Sequence, residues 1–204
     1  MQSTRPSLAV AALVMAAAAC GPPDGGDPRS ADLRADAASV PSRGAEAPIV
    51  DLVIFVDYRS AASRTLTTTV GVLVDRYPGA VRLEVRHLPG GSSEQARAPH
   101  LAAIAAAAQG RFWDMHALLL GAAQGFGLRD ILHIARVLGL DDARLLDDIE
   151  ADDSARILQR DRVWADQVGI ERAPALLLGS RVVTGVPSIE QIDELVQVEI
   201  KANQ

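Results

Sequence analysis

Ten consecutive residues, IVDLVIFVDY at positions 49–58, are apolar except for two aspartates and are rich in β-branched side chains. A run this short fits a strand covered on both faces, and such strands belong to sheets sandwiched between helices. The flanking pattern agrees. Residues 61–76 predict a helix stopped by Tyr77-Pro78-Gly79, and VRLEVRHL at 81–88 alternates apolar and charged residues as a half-buried strand does, with Pro89 ending it. A long helical stretch follows, punctuated by glycines at 110, 121, 139 and 169. Two short strands, 174–179 and 181–185, are joined by a tight turn at Gly179-Ser180, and SIEQIDELVQVEI reads as a closing amphipathic helix. A β-α-β unit needs a right-handed crossover, so its strands run parallel, and the terminal hairpin completes a mixed sheet.

The N-terminus predicts export. Arg5 precedes the apolar run LAVAALVMAAAAC, which is shorter than the roughly 20 residues needed to span a bilayer. The run ends on Cys20, the only cysteine of the chain. AAAC resembles a bacterial lipobox, with Ala17 where leucine is usual; ordinary signal cleavage beside an incidental cysteine is the alternative. Residues 1–19 are therefore expected to be a signal peptide and Cys20 a lipidated residue. Residues 20–47, rich in Gly, Pro, Asp, Ala and Ser, are expected to be a disordered tether spanning roughly 30 Å. This places the protein in the bacterial cell envelope, held to a membrane by its lipid. A net charge of −6 and the lack of any Lys/Arg cluster exclude a nucleic-acid surface.

From about residue 48 to 200 the chain resembles the DsbA family of thioredoxin-fold oxidoreductases. FVDYRSAAS resembles that family's strand, Asp-aromatic pair and CxxC motif. PHLAAIAAAAQGRFWDMHALL resembles its helical insertion, including Gln-Gly-x-Phe-Trp-x-x-His, and QVGIERAPALLLGSRVVTGVPS its proline loop and hairpin. The resemblance implies an α/β fold: a thioredoxin-like mixed sheet in a domain at 48–204, with a helical insertion at about 96–168. It also implies that Pro174 is cis, and it maps the two cysteines onto Ser60 and Ser63 and the residue before the proline, commonly Thr or Val, onto Ala173.

These departures fall on the chemistry. A helix N-terminus stabilises a thiolate, but a dipole effect of around 1 kcal/mol cannot ionise a serine hydroxyl at neutral pH. Ser60 is expected to act as an N-cap and Ser63 as an ordinary first-turn residue. Residues 21–204 contain no cysteine, so no disulfide exchange is expected. The reading that follows is a redox-inactive module, without a cofactor, that binds unfolded or extended peptide or protein through Ser60, Ala173 and Pro174. Two alternatives stand beside it. One is a structural module that stabilises a partner. The other is a kappa-class glutathione transferase or isomerase, which Asp57-Tyr58-Arg59-Ser60 resembles apart from Ala61 in place of proline, with Ser60 donating to glutathione. His87, His100, His116 and His133 share no metal-ligand spacing; Trp113 and His116 read as packing residues. The acidic run 141–153 reads as a solvated helix face capped by Asp141.

Overall fold

A computed structural model describes residues 40–122 and 127–203. The expected signal peptide and Cys20 lie outside the described residues. Strand β2 (Val50–Val56) is central and pairs in parallel with β3 (Val81–His87), from Val50 opposite Val81 to Val56 opposite His87. On its other side β2 pairs antiparallel with β4 (Ala175–Leu178), which pairs with β5 (Arg181–Thr184). A short strand β1 (Ser42–Gly44) adds antiparallel to the outer edge of β3, giving the order β1-β3-β2-β4-β5.

Seven helices are present among the described residues: α1 (Ala61–Arg76), α2 (Glu94–Ala108), α3 (Phe112–Gly121), α4 (Leu128–Val137), α5 (Asp142–Glu150), α6 (Asp152–Gln167) and α7 (Ile189–Ala202). Helices α2 to α6 form the insertion between β3 and β4. None is long and apolar enough to cross a membrane. Polar side chains start several of them. Ser93, Asp141 and Ser188 each accept a hydrogen bond from the backbone N–H three residues on, satisfying a donor that the helix cannot.

Alternation along β2 builds two cores. Val50, Leu52, Ile54 and Val56 join Leu66, Val70 and Leu73 of α1 and the alanine-rich face of α2. Val53 and Phe55 join Ala165, Ile170, Ala175 and Leu177 on the opposite face. The alanines at 102, 103, 105 and 106 are buried, and such small side chains bring helix backbones close together.

Two expectations are corrected. Residues 42–44, assigned to the tether, form β1. The N–H of Ala45 donates to Val81 O at 2.9 Å and that of Val85 to Pro41 O at 3.0 Å, while Val40 and Ala45 are buried. Three residues are too few to show a strand period. Gly44 is required there, with φ at 111° and a position where a Cβ would approach Val81 O to 2.5 Å. Strand β3 is also not half-buried throughout. Arg86 is buried and pairs with Asp161 of α6 at 3.1 Å, while its guanidinium lies 4.4 Å from the Trp164 ring centroid. Asp161 also accepts from the His87 N–H at 2.8 Å. An alternating charge on a strand thus marks a buried ion pair that docks α6.

Both halves are testable by urea denaturation. Asp161→Ala leaves the buried Arg86 with only the longer contact to Glu84, at 3.7 Å, and is expected to cost about 3–5 kcal/mol. A chain beginning at residue 48 loses Val40 and Ala45 and is expected to be less stable by about 1.5–3 kcal/mol than one beginning at residue 38, the worth of one buried aliphatic side chain. Equal midpoints would show that β1 contributes nothing.

Candidate functional site at the start of helix α1

Strand β2 delivers Asp57, Tyr58, Arg59 and Ser60 in sequence to the N-terminus of α1. Ser60 caps it as expected, in extended conformation (φ −101°, ψ 119°), its Oγ accepting from the Ser63 N–H at 3.3 Å. Ser63 is more than an ordinary first-turn residue, which corrects that reading. Its side chain is fully buried, and its Oγ accepts from the Asp57 N–H at 3.0 Å, tying the incoming strand to the helix it starts. Both serine oxygens therefore hold backbone donors.

Asp57 joins two loops. Its Oδ1 accepts from the Arg59 N–H at 3.0 Å and its Oδ2 from the Gly90 N–H at 3.2 Å. Gly90 permits that approach, because a Cβ there would lie 2.6 Å from Asp57 Oδ2. Burial pushes the Asp57 carboxyl up, but His100 and the two N–H groups outweigh it and hold it below the ordinary carboxylate value.

Beneath the junction, side chains distant in sequence meet. Tyr58 is buried, its OH 2.9 Å from His116 Nδ1. His100 Nδ1 lies 3.3 Å from His87 Nδ1. His100 Nε2 lies 3.8 Å from Asp57 Oδ1, an electrostatic rather than a hydrogen-bonding distance. All three imidazoles are buried. Burial, the largest effect, holds each below the ordinary histidine value; it is reinforced at His87 by the charges of His100, His116, Arg160 and Arg86, and opposed at His100 by Asp57. His116 is pushed to about 3, with Arg43 and His100 adding to burial. Burial alone raises the Tyr58 phenol well above its ordinary value. At neutral pH this is an uncharged aromatic block with one carboxylate at its edge. Among the described residues no group of three or more His, Cys, Asp or Glu side chains is arranged to hold a metal ion.

Sequence reasoning placed His116 in the packing but missed His87 and His100 as its neighbours. The available clue was parity: His87 follows Val81, Leu83 and Val85 on the inward side of β3.

The proline loop reaches the same end of β2. Phe55 pairs with Ala175, and the Ala173–Pro174 peptide bond just before it is cis. Ala173 and Pro174 are half-buried. The Pro174 carbonyl accepts from the Gly185 N–H at 3.1 Å, whereas the Ala173 N–H and C=O make no hydrogen bond among the described residues. Ser60 and Ser63 follow the C-terminal end of β2, and the pairing of Phe55 with Ala175 brings the loop of Ala173 and Pro174 to that same end; His133 stands apart, exposed on α4.

Comparison with known proteins agrees with this fold. A family model described as thioredoxin matches residues 38–198. No curated protein matches the chain. Among solved structures, a thioredoxin-like oxidoreductase from Silicibacter pomeroyi DSS-3 is 29% identical, with a TM-score of 0.74 covering 80% of this chain and 93% of that one. The thiol-disulfide exchange protein alpha-DsbA2 from Wolbachia pipientis is 21% identical, with a TM-score of 0.71 covering 84% and 92%. A periplasmic thioredoxin-like protein from Salmonella enterica serovar Typhimurium is 20% identical, with a TM-score of 0.71 covering 80% and 91%. The mixed sheet, the helical insertion and a family match running from before β1 into α7 lead to one conclusion: the chain belongs to the thioredoxin family.

Proposed function

We propose that this protein is an envelope-tethered, DsbA-like domain that binds extended polypeptide and carries out no thiol chemistry of its own. The observation that carries the reading is the unpaired backbone of Ala173 at the end of β2 from which the chain enters a helix whose N-terminus carries serines and no thiol. A free N–H and C=O in the loop that leads into β4 can pair with an incoming extended chain and need no sulfur to do so. Ser60 and Ser63 would occupy the places of the family's CxxC cysteines, and residues 21–204 supply no other thiol.

An activated serine is disfavoured by the geometry. Nucleophilic serine needs a base within hydrogen-bond reach. The Asp57 side chain accepts from two backbone N–H groups and faces His100, while the histidines are buried and linked to one another and to Tyr58. Export and lipidation at Cys20 complete the reading. The periplasmic description of the Salmonella protein supports the compartment.

Assays on residues 21–204 test this directly. Insulin reduction and dithiol oxidation are expected to run at the uncatalysed rate, and the Ser60→Cys/Ser63→Cys double variant to raise both. Turnover by the natural chain would overturn the proposal. The domain is further expected to suppress light scattering by a reduced, unfolded client. Ala173→Pro, which removes the N–H, is expected to weaken that suppression several-fold with an unchanged melting temperature. A saturable heat of glutathione binding, lost in Ser60→Ala, would favour the transferase reading instead.

The buried histidines make a separate prediction. Their folded-state values lie below the ordinary one of about 6.5, so unfolding takes up protons as the pH falls beneath it. Their contribution to stability is complete above about pH 6.5 and declines as the pH drops toward 3, the value to which His116 is held. Urea midpoints are expected to be level between pH 7 and 8 and to fall from pH 6.5 to 5. A level profile across that lower window would mean that the imidazoles are hydrated.

A further inference from the structure

A cavity of about 570 Å³ lies between the N-terminal end of β1 and helices α2, α3 and α6, and none of Ser60, Ser63, Ala173 or Pro174 lines it. Ile104, Phe112, Trp113 and Ile157 give it apolar and aromatic walls. The chain itself enters the fold here. Val40, Pro41 and Ser42 form the wall on the β1 side, so the residues before Val40 join the domain at this cavity. That wall is firmly held. Val40 is buried, the Pro41 carbonyl accepts from the Val85 N–H at 3.0 Å, and the Arg43 guanidinium lies 4.8 Å from the Trp113 ring centroid.

The sequence upstream decides what can fill it. Residues 21–39 hold a single large apolar side chain, Leu33, among glycine, proline, alanine, serine, aspartate and arginine. Seven residues run from Leu33 to Ser39. Fully extended they span about 23 Å, more than the breadth of a compact cavity of this volume. A segment already joined to the cavity wall also acts at an effective concentration in the millimolar range, so any free ligand has to displace it.

We propose that the occupant of this cavity is the tether of the same chain, residues 33–39, with the Leu33 side chain set against Ile104, Phe112, Trp113 and Ile157. Docking removes the leucine and the apolar walls from water together. Attachment at Val40 keeps its entropic cost low, because only a short loop is closed. The alanines at 35, 37 and 38 add little bulk where the segment passes Val40. Docking leaves residues 20–32 as the free part of the tether. With Cys20 as the anchor, the greatest reach of the tether falls from about 66 Å for residues 20–39 to about 43 Å, which holds the domain nearer the membrane. The docking itself rests neither on the lipid nor on peptide binding at Ala173.

Nitroxide labelling of residues 21–204 is the test, since that stretch has no native cysteine. With the label on Arg34→Cys, the methyl resonances of Ile104 and Ile157 are expected to lose most of their intensity. Val182 on β5, at the opposite edge of the sheet from β1, is expected to keep its own. Adding Leu33→Asp is expected to restore the two isoleucines several-fold, whereas Leu33→Met keeps them broadened. In the unlabelled protein, nuclear Overhauser contacts are expected between the Leu33 methyls and the Phe112 or Trp113 ring. The broadening is expected to survive dilution and to vanish when spin-labelled and isotope-labelled chains are mixed as separate molecules. Equal broadening with Leu33→Asp, or the absence of those ring contacts, would overturn the assignment. Broadening in the mixed sample would overturn it too, by giving the cavity to a second copy.

Discussion

Burial of β2 on both faces is the constraint on which the rest of the structure depends. A strand with apolar side chains on each side cannot sit at an edge or face water, so it must be central and covered twice. Helices α1 and α7 and the first four helices of the insertion cover one face, and its last helix, α6, covers the other. The parallel neighbour β3 follows from the α1 crossover, and the hairpin β4-β5 takes the remaining side. Because the chain leaves β2 directly into α1, whatever stands at positions 57–60 is presented at a helix N-terminus. The same pairing holds Ala175 opposite Phe55 and brings the proline loop to that end.

That geometry explains why serine is tolerated at both places. A helix N-terminus needs acceptors for its unpaired N–H groups, and a hydroxyl oxygen accepts more strongly than a thiol sulfur. Ser60 takes the Ser63 N–H, and Ser63 takes the Asp57 N–H. A helix N-terminus can ionise a thiol near neutral pH but not an alcohol. In the proposed reading, fold and chemistry therefore separate at two atoms: oxygen in place of sulfur would keep the cap and give up the nucleophile.

Most of the fold was legible because it is written in short-range patterns. The β2 run, the helix stop at Tyr77-Pro78-Gly79 and the Gly179-Ser180 turn each declare themselves within ten residues, and the elements follow within a few residues of expectation. Strand β1 was not legible, since three exposed residues carry no period and owe their conformation to the open edge of β3. Arg86 read as a solvated strand residue because its partner, Asp161, lies 75 positions away. The candidate site divides along the same line. The Ser60 cap is local and was anticipated, whereas the burial of Ser63 and the meeting of His87, His100, His116 and Tyr58 depend on where the insertion folds back.

The buried histidines carry one further consequence of that folding back. Each imidazole has two nitrogens, and fixing one determines the other. The carboxylate of Asp57 stands 3.8 Å from His100 Nε2, and His100 Nδ1 meets His87 Nδ1 at 3.3 Å. The α1 junction is thus linked to the end of β3 through buried polar side chains in a core that is otherwise apolar. A rotation of Asp57 away from His100 would remove the carboxylate that does most to oppose the effect of burial on that ring. The groups that tie Asp57 down, the N–H groups of Arg59 and Gly90 on its carboxylate and the Ser63 hydroxyl on its own N–H, therefore also fix the charge that His100 meets in the insertion.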